Sequence, residues 1–290
     1  MIQLISNTKP PCLKPGDEFT TIAISSAIED ETSLLKGIKV FEEWGLVCRP
    51  QEICTRKWNG LAGDDQTRSQ ELQPDPPSPL LACARGGWGA ARLLELPHSW
   101  QKGWVLGFSD VSSILLARLA SGFHGCIHGP LVTTISNEPE WSKERLHSLL
   151  FGNPIEPLKG EPWGRGLATG PIVVANLTVA SHLIGSCFLP DLKGAILVLE
   201  DVGEAPYRID RMLTHWRLAG ILHQIAGLGM GSFHDCLQDD ENHLENELQL
   251  RKVLKDRTID LGIPIVGDLP IGHRQGNAAL PLGCKAELDG

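Results

Sequence analysis

Short apolar runs alternate with stretches of helical spacing along the first half of the chain. FTTIAISSAI (Phe19 to Ile28) reads as a strand entering a loop. SLLKGIKVFEEWG (Ser33 to Gly45) has apolar residues at helical spacing and ends on glycine, the signal of a helix stop. LLACARGGWGAARLLELP (Leu80 to Pro97) predicts a strand, a glycine-rich turn and a helix, and WVLGFSDVSSILLARLASG (Trp104 to Gly122) repeats that plan. Such repetition predicts a mostly parallel sheet covered by helices, with ligands gathering at the carboxyl ends of its strands. Both glycine-rich turns fall at such ends.

The proline-rich stretch QELQPDPPSPL (Gln70 to Leu80) predicts a surface loop. A helix followed by a Pro/Gly-rich passage, Asn137 to Gly166, marks a domain boundary. The division expected is residues 1–155, a linker at 156–167, and 168–290. Beyond the boundary, GAILVLEDVGEAPYRIDRMLTHWRLAGIL predicts a strand, an acidic loop and an amphipathic helix. GIPIVGDLPIGH and NAALPLGCKAELDG predict further strands.

Composition narrows the class. With 290 residues, 42% hydrophobic and 21% charged, the chain can bury a sizeable core. A formal net charge of -9 and the lack of a basic run argue against nucleic-acid binding. The stretch Pro171 to Pro190 carries Asn176, Thr178, Ser181, His182 and Ser186, so it predicts a buried segment rather than a membrane span. The N-terminal residues lack a basic region followed by an apolar core, which predicts no secretory signal. The eight cysteines form no CxxC pair, which fits a reducing cytoplasm and predicts no zinc site.

Three stretches carry candidate chemistry. In LGFSD, Ser109 stands where a strand turns into a helix. There it is either a cap, a role open to Asp110 too, or a nucleophile near free helix amides. The stretch differs from the G-x-S-x-G elbow. ARGGWGAARLL holds Arg85, Gly86, Gly87 and Trp88. It is either a tight turn or a cradle for an oxyanion or carboxylate, and it lacks the G-K-[ST] of a phosphate loop. Glu200, Asp201 and Glu204 follow a strand, where a carboxylate can orient a histidine or simply face solvent. Among the histidines, His273 sits in the tightest turn, with His124 and His128 as competitors.

Taken in order, KPGD, ARGGWGAARLL, LGFSD, HGP, ILVLEDVGEAPYRIDRML, PIVGDLPIGH and LPLG resemble the LD-carboxypeptidases, close relatives of the microcin-immunity peptidases, over Lys14 to Gly283. The resemblance implies an α/β fold. A flavodoxin- or Rossmann-like N-terminal domain would carry the nucleophile Ser109. A smaller, β-rich, barrel-like C-terminal domain would carry Glu200 and His273. It implies a serine carboxypeptidase that removes the terminal D-Ala of murein tetrapeptides in cytoplasmic cell-wall recycling. No metal or cofactor would be needed, and the chain would form a homodimer. Oxyanion and substrate contacts would come from Asp110, Gly86, Gly87, Arg85 and Trp88. Two departures stand out. The family's R-G-G-Y reads R-G-G-W at Trp88, losing a hydroxyl, and its W-G-G-N-L reads IVVANL, so Val174 and Ala175 would narrow the pocket near Asn176. The alternatives are an amidase acting on aminoacyl-nucleotide conjugates, or a muropeptide-binding relative without catalysis. The short run from Glu200 to His273 favours the peptidase over the amidase.

Overall fold

A computed structural model describes residues 1–5, 10–49, 52–97, 99–236 and 243–290. Part of the Glu200–His273 run, whose compactness weighs in the choice of substrate, therefore lies outside the described residues. Two sheets organise the molecule. The first runs Leu280–Pro281, Cys126–His128, Trp104–Gly107, Leu80–Cys83, Glu18–Ile22 and Val47–Arg49 in space. Its strands are parallel except for the edge pair Leu280↔His128, as the strand–helix repetition predicts.

The second sheet has seven strands: Ile2–Leu4, Lys285–Asp289, Leu167–Asn176, Ile196–Val202, Gly227–His234, Ile265–Gly267 and Glu161–Pro162. The four from Leu167 to Gly267 are mutually parallel, and the outer strands run antiparallel. The sheet curls. Ile2, on one end strand, bridges Leu158, three residues before the strand at the other end. The chain crosses between the sheets at its ends. Ile2–Leu4 joins the second sheet, and Leu280–Pro281 edges the first.

The helix Ser112–Ala120 is buried from Ser112 through Arg118. It has no wet face because its apolar residues share one core with Leu81 and Val105 of the first sheet and Val173 and Leu197 of the second. Burying Ile114, Leu115 and Leu116 stabilises the fold by about 1.5–3 kcal/mol each. The charge of Arg118 is tolerated there because its guanidinium donates to the carbonyls of Gln101 and Gly103, both at 2.8 Å.

Two expectations change. The helix foreseen after the glycine-rich turn is a short 3₁₀ segment, Ala91–Glu95, cut off by Pro97. The sequence pattern does not predict the strand Gly227–His234, because its glycines at 227, 229 and 231 weaken the strand signal. Among the described residues, no helix is long and apolar enough to cross a membrane.

Candidate active site

The strand Trp104–Gly107 delivers Phe108 in extended backbone, and the chain then reverses sharply. Ser109 takes φ +63°, a left-handed conformation that a serine adopts only where its surroundings hold it there. A 3₁₀ turn, Ser109–Val111, leads into the helix, whose cap position is Val111 with no side-chain cap bond. Ser109 is therefore not a cap. Its Oγ lies 3.0 Å from His273 Nε2, and His273 Nδ1 lies 2.6 Å from Glu200 Oε2. A hydroxyl, an imidazole and a carboxylate form one chain, with residues from both sheets. His124 is exposed and outside it. His128 is fully buried, with Nε2 3.8 Å from the other Glu200 oxygen.

Glu200 lies within the strand Ile196–Val202 and is wholly buried. Burial alone would raise its carboxyl. The His128 and His273 imidazoles outweigh that, so Glu200 is held well below the usual carboxylate range. At 3.8 Å, His128 acts as a dipolar neighbour rather than a hydrogen-bond donor at rest. Asp201, the next residue, faces away. Its carboxylate accepts from Asn176 Nδ2 and Thr178 Oγ1, which makes it a structural anchor. Glu204 pairs with exposed Arg208.

The loop bearing His273 is held from several sides. Gly272 has φ +110°, and a Cβ there would stand 2.6 Å from Glu200 Oε2. At Gly231, in the unforeseen strand, a Cβ would stand 2.6 Å from the Ile271 carbonyl. Small residues on both elements thus let the loop close onto Glu200. Asn277 Oδ1 accepts from the Gly272 amide at 2.9 Å. Buried Glu138 accepts from the amides of Gly276 and Asn277 at 2.7 and 3.1 Å.

The glycine-rich turn packs on the serine. A Cβ on Gly86 would lie 3.0 Å from Ser109 Cβ and 3.1 Å from its Oγ, so a side chain at Gly86 would crowd the serine. Asp110 is 7% exposed and turns its carboxylate away from the cleft. It accepts from Ser25 Oγ at 2.7 Å and the Ala90 amide at 2.8 Å. Burial raises its carboxyl despite these bonds. The expected substrate contact from Asp110 is thus limited to its backbone. Neither Ser25 nor Glu138 was foreseen. Each is an ordinary polar residue whose role depends on a partner 85 or more positions away.

Ser109 and His273 open onto a cleft of about 390 Å³, whose walls include Glu29, Asp30, Arg85, Gly86, Gly87 and Thr133. A larger cavity of about 470 Å³, lined in part by Ser232 and Arg274, holds none of the three chain-forming residues. The smaller cleft is the one that Ser109 and His273 line. Arg85 Nη1 donates to the Ala27 carbonyl at 2.8 Å, which fixes its head at the rim. Trp88 is half exposed and does not line the cleft. Its amide donates to Ser26 Oγ at 3.2 Å. Val174 and Ala175 are fully buried in the core and line no part of the cleft, so they do not narrow it. Asn176 caps the next helix by accepting from the Val179 amide at 3.0 Å. Among the described residues, no group of three His, Cys, Asp or Glu side chains is placed to hold a metal ion.

A hydroxyl aligned with an imidazole and a buried carboxylate, beside close-packed backbone amides, defines a hydrolase-like site. The family description of the LD-carboxypeptidase N-terminal domain matches residues 20–129, and that of the C-terminal domain matches residues 169–288. A Synechocystis protein, slr1534, carries a provisional carboxypeptidase name. It is 45% identical over 97% of this chain and 94% of its own length. The murein tetrapeptide carboxypeptidase of Pseudomonas aeruginosa is 30% identical over 81% of each chain. Among solved structures, an MccF-like protein from Bacillus anthracis superposes with TM-score 0.82 at 19% identity, over 98% of this chain and 97% of its own. The muramoyltetrapeptide carboxypeptidase from Oxalobacter formigenes reaches 0.75 at 22% identity, over 94% and 99%. At those identities the likeness is one of fold. The chain belongs to the LD-carboxypeptidase family, a family of peptidases.

Proposed function

We propose that the protein is a serine-type LD-carboxypeptidase that removes the terminal D-Ala from murein tetrapeptides. The observation carrying this reading is the Ser109–His273–Glu200 chain, with its 3.0 and 2.6 Å contacts, opening onto the cleft. Ser109 Oγ attacks the carbonyl carbon of the bond between the third residue and D-Ala, and His273 Nε2 takes the serine proton. The imidazolium, steadied by Glu200, returns that proton to the leaving amine. Water, giving a proton to His273, then attacks the acyl-serine, and His273 returns that proton to Ser109 Oγ, which releases the shortened peptide and restores the hydroxyl. The backbone amides of Asp110 and of Gly86 or Gly87 meet the oxyanion, where one donor is worth about 2.7–4 kcal/mol. Arg85 uses one of its five N–H donors on Ala27 and offers the others to the substrate carboxylate.

In this reading residues 1–155 supply the nucleophile and 168–290 the base and its carboxylate, with 156–167 linking them. The homodimer and the cytoplasmic setting belong to the same proposal. The test is mass spectrometry of D-Ala release from murein tetrapeptide. Wild type releases it, while Ser109→Ala and His273→Ala lose about 10³-fold or more in rate. Release undiminished in Ser109→Ala would overturn the serine mechanism.

A further inference from the structure

We propose that His128 is a positioning residue that holds Glu200 through its second carboxylate oxygen. The proposal rests on the reading of Ser109, His273 and Glu200 as the reacting chain. Glu200 Oε2 is taken by His273, while Oε1 is buried and has no hydrogen-bond partner among the described residues. His128 is also fully buried, and neither of its ring nitrogens has a hydrogen-bond partner among the described residues. Buried polar atoms are nearly always paired, so unpaired neighbours of complementary type call for an explanation. These two face each other, Nε2 to Oε1, at 3.8 Å. A shift of about 0.9 Å makes that gap an ordinary hydrogen bond.

The surroundings suit the role. His128 ends the strand Cys126–His128, and its backbone is registered against Gly107 on one side and Leu280 on the other. Its ring meets Phe108 edge-on, with centroids 5.5 Å apart, and Phe108 meets His273 at 4.7 Å. One aromatic ring, adjacent in sequence to Ser109, therefore touches both imidazoles that flank Glu200. With Nε2 carrying the proton, His128 donates to Oε1 as His273 becomes positively charged. That fixes the rotation of the carboxylate and keeps Oε2 on His273 Nδ1. No bond to carbon changes, and no proton leaves His128.

The test compares His128→Phe, which keeps a flat ring without a donor, with His128→Gln, which keeps an N–H donor. Expected for His128→Phe is a fall in kcat of about 10–100-fold, the range seen when a residue that orients a site ligand is removed, with KM unchanged. His128→Gln recovers most of the loss. In ¹⁵N-histidine-labelled protein, the Nδ1 shift of His273 moves in His128→Phe and returns in His128→Gln. Should His128→Phe fail to fold, His128→Leu takes its place. A folded donor-free variant with wild-type kcat and an unmoved His273 shift overturns the proposal. So does equal impairment of the two variants, which would leave His128 a packing role only. If the wild type releases no D-Ala, the functional reading fails, and the His273 shift alone still decides this inference.

Discussion

Glu200 has to remain ionised where no water reaches it. Burial disfavours the charge, and two imidazoles reverse the balance. The folded carboxyl titrates below its ordinary range, so its contribution is fully present above that range. It is lost as pH falls from near 4.5 toward about 2. Glu200→Gln lacks this contribution. Its melting temperature will start lower at neutral pH and fall less steeply across that window, as thermal unfolding followed by circular dichroism will show. The neighbouring backbone is equally constrained. In Gly272→Ala a methyl would stand 2.6 Å from Glu200 Oε2, at a φ of +110°. We expect kcat/KM to drop by about 10²-fold, the cost of misplacing a catalytic group by an ångström. Wild-type turnover in that variant would show that the loop adapts.

The elements differ in how plainly their residues announce them. The strands through Leu81, Val105 and Leu197 and the helix Ser112–Ala120 follow apolar runs and helical spacing, so local pattern sufficed to find them. The strand Gly227–His234 escaped because the glycines that let His273's loop approach also erase the strand signal. Position on an element also separates core from cleft. Val174 lies in the strand Leu167–Asn176, against Val198 of the next strand. A truncation there should destabilise without touching substrate. We expect Val174→Ala to cost about 2 kcal/mol in urea unfolding and to leave KM unchanged. A clear change in KM would place this strand nearer the substrate than its burial indicates.

Across the whole molecule, the loop bearing His273 is fastened to the middle of the chain, more than 130 positions back. Ser142 donates to the Asn277 carbonyl at 2.8 Å and Arg145 to the Ala279 carbonyl at 2.9 Å, while Glu138 receives the amides of Gly276 and Asn277. Removing the Glu138 carboxylate leaves two amides unpaired in a poorly solvated place. Glu138→Ala should lose about 2 kcal/mol of stability and lower kcat more than KM, as His273 loosens. Denaturant melts beside D-Ala release will measure both. An effect on stability alone would separate the anchor from the chemistry.

The sequence by itself determined the class of fold, the mostly parallel character of the first sheet, and, through the resemblance that its ordered motifs carry, Ser109, Glu200 and His273 as candidates. The first two depend on residue periodicity, which acts over a few neighbours at a time, and the candidates on motifs that resemble those of a known family. Only the tertiary structure decided that Ser109 is no cap, that Asp110 turns its carboxylate toward Ser25, and that Val174 belongs to the core. It also shows what each histidine meets. His273 reaches a serine 164 positions away, while His128, equally visible in the sequence, comes to rest behind Glu200. Such roles are set by which side chains meet after the two sheets close on one core. No local pattern encodes a meeting between residues so far apart.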